Sequence, residues 1–188
     1  MLVLDVSENN GVIDWDSVVD AGVEGVIVRA GYGVSGTEDE MFRQNINAAI
    51  EHGLKVGAYW YSYALDVEGA HKEGEACARI INDWGGLLEL PVFFDMEDAD
   101  GYKRRHGFAF DADEITAMCK AFIDACGLNC GVYASLDWFE NYIDWQNLGC
   151  AVWNAQWGSD DDINGYAWQF TDSCEIGGKL FDASIFRV

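Results

Sequence analysis

Pro91-Val92-Phe93-Phe94-Asp95-Met96-Glu97-Asp98 is an apolar run that turns abruptly into acid. Its apolar residues do not alternate with polar ones, so a strand here must be covered on both faces, as in a parallel sheet wrapped by helices. In such folds the groups that do chemistry stand just beyond the carboxyl ends of the strands. Asp95 and Glu97 are two residues apart. In extended chain their side chains share a face, with Cα atoms roughly 6.5 Å apart.

Segments of the same kind recur on either side. Strands are expected at Leu2–Asp5, Val26–Ala30, Val56–Tyr61, Val92–Asp95, Val132–Ala134 and Ala151–Asn154, with shorter ones at Tyr166–Gln169 and Phe181–Ser184. Helical patterns lie between the early strands. One begins near Glu38, aligns Phe42, Ile46, Ala49 and Ile50, and stops at Gly53. Another starts at Asp111, with Glu114 as its capping-box partner, and ends at Gly127. Its apolar stripe is Ile115, Met118, Cys119, Phe122, Ile123 and Cys126. Beyond about residue 145 the helices give way to short strands and tight turns. This order fits an α/β, TIM-like barrel begun as β/α units and closed by plain strands; a doubly wound open sheet is the alternative.

A length of 188 residues, with no linker, repeat or low-complexity tract and a single proline, points to one domain over residues 1–188 and to a monomer. Met1 leads at once into Leu2-Val3-Leu4-Asp5, which does not read as a signal peptide, and no apolar run has membrane-spanning length. With 33 acidic against 11 basic residues the formal charge is −22, which disfavours nucleic acid and anionic membranes as partners. The six cysteines include no C-x-x-C pair, and His52, His71 and His106 stand alone, so neither a metal nor a cofactor is expected. The thiols are expected to be reduced and mostly buried.

A carboxylate pair beyond a barrel strand is what glycoside cleavage requires. One group stays protonated to donate to the leaving oxygen while another stays ionised to support positive charge on the sugar. Two further acids sharpen this reading: Asp5 ends the first strand and Asp182 lies in the last. First and last strands are neighbours when a barrel closes, which brings both acids to the same mouth.

Other motifs fail. Gly31-Tyr32-Gly33-Val34-Ser35-Gly36 has the dinucleotide spacing, but it follows the second strand, and Glu38, Asp39 and Glu40 open the next helix, where a pyrophosphate would be repelled. Asp98-Ala99-Asp100-Gly101 has the start of a calcium loop, with Ala109 where the closing Glu should be. There is no Gly-x-Ser-x-Gly elbow.

Taken together, the chain resembles glycoside hydrolase family 25, the lysozymes that cut the peptidoglycan sugar backbone. The matching stretches are Asp5-Val6-Ser7, Gly11-Val12-Ile13-Asp14-Trp15, Val28-Arg29-Ala30-Gly31-Tyr32-Gly33, Gly53 to Ser62, Leu90 to Glu97, Gly131-Val132-Tyr133, Val152 to Trp157, Trp168-Gln169-Phe170-Thr171 and Phe181-Asp182-Ala183-Ser184. The resemblance implies a barrel of five β/α units closed by three strands. It implies cleavage of the β-1,4 bond between N-acetylmuramic acid and N-acetylglucosamine. Glu97 then looks like the general acid, Asp95 like the partner that orients the substrate's 2-acetamido group, and Asp5 and Asp182 like flanking acids. Tyr61, Tyr63, Tyr133, Trp153 and Gln169 are the expected cleft residues. An inverting route through an activated water stays open.

Members of the family often carry a separate wall-binding module, and none is expected within these 188 residues. Bacterial walls are themselves largely anionic, so a domain of charge −22 meets repulsion there at low salt. A phage endolysin released through a holin, or a bacterial autolysin without its leader, would have these features. The alternatives are a chitinase-like glycosidase resembling family 18, disfavoured by the apolar Val92-Phe93-Phe94, and a catalytically inactive sugar-binding domain, disfavoured by the four retained acids.

Overall fold

The apolar strands do wrap into a barrel. The computed structural model describes residues 1–187. In chain order the elements are β1 (Leu2–Val6), α1 (Trp15–Asp20), β2 (Gly25–Tyr32), β3 (Thr37–Glu38), α2 (Phe42–Glu51), β4 (Lys55–Tyr61), α3 (Val67–Ile81), β5 (Val92–Asp95), α4 (Tyr102–Arg105), α5 (Ala112–Cys126), β6 (Cys130–Ser135), α6 (Leu136–Asn141), α7 (Trp145–Leu148), β7 (Ala151–Ala155), β8 (Ala167–Ile176) and β9 (Lys179–Phe186). Strands run in the order β1-β9-β8-β7-β6-β5-β4-β2, and a further pairing of β1 with β2 closes the ring, with β3 hanging from β2 as a short hairpin. Around the ring the pairs β1–β2, β2–β4, β4–β5, β5–β6, β6–β7 and β7–β8 are parallel, β9 lies antiparallel between β8 and β1, and the β2–β3 hairpin is antiparallel. Helices follow β1, β2, β4, β5 and β6, whereas β7, β8 and β9 carry none. That is the expected arrangement of five β/α units and three closing strands.

The apolar run at β5 has a direct packing cause. Phe93 points into the barrel against Val3, Ile27, Trp153 and Phe186. Phe94, its neighbour, points outward into the layer under the helices and stacks on Phe122 of α5, ring centroids 4.3 Å apart. Both faces are therefore dry, and Asp95, two residues on from Phe93, faces inward at the top of the strand. The barrel floor is too crowded for side chains at every position: a Cβ on Gly57 would lie 2.6 Å from the Pro91 carbonyl oxygen, and one on Gly131 2.4 Å from that of Ala151. Apolar bulk thus fills the lower barrel and polar groups are left to its upper mouth.

Helix α5 follows its sequence closely. The Asp111 carboxylate accepts the Glu114 amide at 3.0 Å, the predicted stripe is buried except for the half-buried Ile123, and Gly127 ends the helix at φ 67°. Helix α2 does not. It starts at Phe42, because Glu38 pairs with Gly31 in the β2–β3 hairpin and Asp39 is drawn inward onto Arg29. The final strands are also longer than expected, β8 spanning ten residues and β9 eight, since they form a hairpin turned at Gly177-Gly178. Helix α3, absent from the expectations, packs its small residues Gly74 and Ala70 inward, with Gly74 against the backbone of Phe122 and Cys126. Among the described residues all six cysteines are free thiols, and no helix is long and apolar enough to cross a membrane.

Candidate active site

The carboxyl ends of the parallel strands meet in one cleft. An inner cavity of about 190 Å³ is lined by Asp5, Asn9, Arg29, Tyr59, Tyr61, Asp95, Glu97, Tyr133, Trp153 and Asp182. It opens into an outer groove of about 570 Å³ that shares Asn9, Arg29, Tyr61 and Glu97 and adds Glu8, Tyr32, Tyr63, Ala99 and Asp100. All four predicted acids are thus brought together, with Tyr61, Tyr133 and Trp153 in the inner cavity and Tyr63 in the groove. Gln169 is buried behind them. Its Nε2 donates to Asp5 Oδ2 at 3.1 Å while its Oε1 accepts from the Tyr133 hydroxyl at 3.0 Å.

The acids come from different strands. Asp5 and Asp182 are direct Cα partners across the β1–β9 seam. Asp95 closes β5 opposite Tyr61 of β4 and Tyr133 of β6. Glu97 stands two residues beyond the strand, in a loop whose Met96 amide still donates to the Tyr133 carbonyl at 2.9 Å. Tyr61 and Tyr63 meet edge to face at 5.1 Å, and the Tyr63 hydroxyl donates to Asp100 at 2.9 Å.

So many carboxylates out of water cannot all be ionised near neutrality. Burial pushes the Glu97 carboxyl up to about 7, opposed by the Lys103 ammonium and reinforced by Asp182. Asp95 is raised well above its ordinary value, first by burial and then by the charge of Glu97. Its Oδ1 is buried without a hydrogen-bond partner, aimed at neither a backbone donor nor a side chain among the described residues. Asp5 is raised by burial and by Asp182, with the Gln169 amide pulling the other way. The cluster therefore binds protons as a unit, and protonating one member lets its neighbour stay ionised.

Sequence reasoning assigned no role to several residues at the mouth. Arg29 reaches across it, its Nε donating to Asp39 at 2.7 Å and its other end pairing with Glu8 at 2.9 Å, which pins the 8–10 turn and the segment before α2 to the rim. An arginine inside Val26-Ile27-Val28-Arg29-Ala30 was a usable signal, since a buried strand cannot leave a cation unpaired. Tyr59 faces inward two residues before Tyr61, as strand alternation dictates. Trp157, two residues beyond β7, is 63% exposed and tethered by its indole N–H to Gln169 at 3.3 Å. Lys103 is almost fully buried beneath Glu97.

The chain is similar to known proteins along nearly its whole length. Glycosyl hydrolases family 25 matches residues 4–179. An autolytic lysozyme of Clostridium acetobutylicum is 25% identical over 182 residues, covering 93% of this chain and 52% of that protein. Among solved structures, the modular autolysin LytC from Streptococcus pneumoniae, in complex with a synthetic peptidoglycan ligand, superposes with a TM-score of 0.87 at 26% identity over 99% of this chain and 46% of its own. The catalytic domain of endolysin ply40 from bacteriophage P40 of Listeria monocytogenes superposes with a TM-score of 0.77 at 21% identity over 100% of this chain and 93% of its own. The chain spans about half the length of the first two of these relatives. From the match along nearly its whole length, the chain belongs to glycosyl hydrolases family 25.

Proposed function

We propose that this chain hydrolyses peptidoglycan, cutting the β-1,4 bond between N-acetylmuramic acid and N-acetylglucosamine, and that it is a single catalytic domain. The observation that carries the reading is the convergence of Asp5, Asp95, Glu97 and Asp182 on one cavity, with the Glu97 carboxyl raised to about 7. A carboxyl with that proton affinity is half protonated near neutrality, which suits a general acid.

In this mechanism Glu97 gives its proton to the glycosidic oxygen as that bond breaks. The carbonyl oxygen of the sugar's own 2-acetamido group attacks the anomeric carbon from the opposite face. Asp95, with an unpartnered inward-facing oxygen, accepts the acetamido N–H and stabilises the positive charge that spreads over the ring so formed. Water then opens that ring, with the Glu97 carboxylate taking its proton. Asp5 and Asp182 hold the proton affinity of the pair high. The aromatic residues Tyr61, Tyr63 and Tyr133 offer flat faces to the sugars, with Trp153 under the inner cavity and Gln169 fixing Asp5 and Tyr133.

Digestion of purified peptidoglycan, followed by borohydride reduction and mass spectrometry of the new ends, tests this. Reduced muramic acid ends are expected. Reduced glucosamine ends would assign a different bond, and the absence of new ends from folded protein would favour the sugar-binding alternative.

A further inference from the structure

We propose that Lys103 is a positioning residue for Glu97, a buried ammonium that fastens the Glu97 peptide to the end of β4 and so fixes where its carboxyl points. The inference rests on the reading of Glu97 as the general acid. In a parallel pair the hydrogen bonds alternate along both strands. Between β4 and β5 the sequence reaches the Ser62 amide, which donates to the Asp95 carbonyl at 3.1 Å. The next rung of such a ladder would give the Ser62 carbonyl to the amide of Glu97. That place is taken by Lys103 instead: its Nζ donates to the Ser62 carbonyl and, at 2.9 Å, to the carbonyl of Glu97. Two carbonyls cannot bond one another, and a cation between them joins what the strand no longer can.

The loop is built to deliver that ammonium. The Asp98 carboxylate accepts the amides of Lys103 at 2.6 Å and Arg104 at 3.2 Å, so the chain from 97 to 103 is closed from its main chain as well as from its side chain. Lys103 is 1% exposed, and an ammonium without water survives only with donors spent and charge offset. Glu73 of α3 supplies the offset, buried beneath the same loop and accepting the Tyr63 amide at 2.9 Å. Asp95, Asp98 and Glu97 complete the charges facing Lys103. Those facing Glu97 are Lys103, Asp98 and Asp100 from its own loop, Asp182 from β9, Asp95 and Asp5 at the ends of β5 and β1, and the phenols of Tyr61 and Tyr133. A methionine would fill the same volume at less electrostatic cost, so the charge itself has a task.

The test compares Lys103→Met with Lys103→Gln in the full chain, reading melting temperature, kcat, KM and the pH profile, with carbon-detected NMR titration of the Glu97 carboxyl. Lys103→Met is expected to lower kcat about 10- to 100-fold with KM within about threefold, as a misplaced acid does. Loss of the cation raises the proton affinity of Glu97, so the alkaline limb and the carboxyl titration both move to higher pH. Lys103→Gln keeps an uncharged NH2 donor on a shorter side chain; it should recover part of kcat and share the displaced limb. A folded Lys103→Met with wild-type kcat, limb and titration overturns the proposal, as does a melting-temperature loss alone. If Lys103→Met does not fold, Lys103→Gln is held to the same criteria. Should the wild type cleave no peptidoglycan, the proposed function fails while the carboxyl titration still decides the role of Lys103.

Discussion

Asp5 and Asp182 face one another residue to residue across the antiparallel seam where the barrel closes, and the charge of Asp182 reaches both Asp5 and Glu97. Like charges held this close keep protons on their neighbours. Asp182→Asn removes one of them, so the Glu97 carboxyl should give up its proton more easily. The alkaline limb of kcat/KM is expected to move down by up to about one pH unit, opposite in sign to the change expected for Lys103→Met. Profiles of the two variants on the same substrate check this; a shift of the same sign in both would contradict the charge assignment.

The proton affinity of Glu97 makes a prediction for the wild type. The acid must be protonated to act, and burial holds its carboxyl at about 7. Hydrolysis should therefore fall as pH rises through about 7, with the protein still folded. Glu97→Gln should lose about 100- to 10,000-fold in kcat at every pH, since it can neither give nor take the proton. Rates of muropeptide release, with circular dichroism as a folding control, decide the point.

The strands and the four acids were legible in the sequence for the same reason. Both depend on local pattern: an apolar run such as Val92-Phe93-Phe94 implies two covered faces, and an acid at its end implies the mouth. What was not legible depends on long-range contacts. Nothing in Lys103-Arg104-Arg105 indicates that Lys103 alone turns inward to Ser62, 41 residues earlier in the chain. Glu38 and Asp39 read as helix openers because the spacing conceals the β2–β3 hairpin and the pull of Arg29. Helix α3 was missed because most of its buried face is small, Gly69, Ala70, Gly74, Ala76 and Cys77, interrupted by Glu73 and with large apolar residues only at Ile80 and Ile81; the stripe is weak but allows close approach to α5.

Glu73 should make folding depend on pH in an unusual direction. Burial raises its carboxyl to about 7 from an ordinary 4.5. An acid whose proton affinity is higher in the folded state adds its full stability below the unfolded value, and that stability is lost as pH rises through the folded one. The contribution should therefore decline between about pH 4.5 and 7, by on the order of 3 kcal/mol if Glu73 acts alone. Glu73→Gln should flatten the curve over that window. Urea unfolding at a series of pH values, compared between the two proteins, measures the difference.

Trp157 lies two residues beyond β7 with most of its ring in solvent and its N–H on Gln169, behind the acids, while Tyr32 and Tyr63 line the groove. A sugar chain that extends from the groove past the acids to Trp157 would meet an aromatic face there as well. Such a contact is worth about 0.5–1.5 kcal/mol. Trp157→Ala should accordingly raise KM about 3- to 10-fold with kcat nearly unchanged. Trp157→Phe should restore most of it. A fall in kcat alone would instead point to its hydrogen bond with Gln169, and through Gln169 to Asp5.

The charge of −22 bears on how the domain reaches its proposed substrate. Bacterial walls are largely anionic, so at low salt the two surfaces repel one another before the cleft can engage. The screening length shrinks from about 30 Å at 0.01 M to about 8 Å at 0.15 M. Hydrolysis of whole walls should therefore increase across that range. A short, uncharged N-acetylglucosamine oligomer meets no such barrier, so its binding to the cleft should stay level. Matched salt series on walls and on the neutral oligomer separate approach from chemistry: equal salt dependence for both would place the effect in the acid cluster rather than in the field of the whole domain.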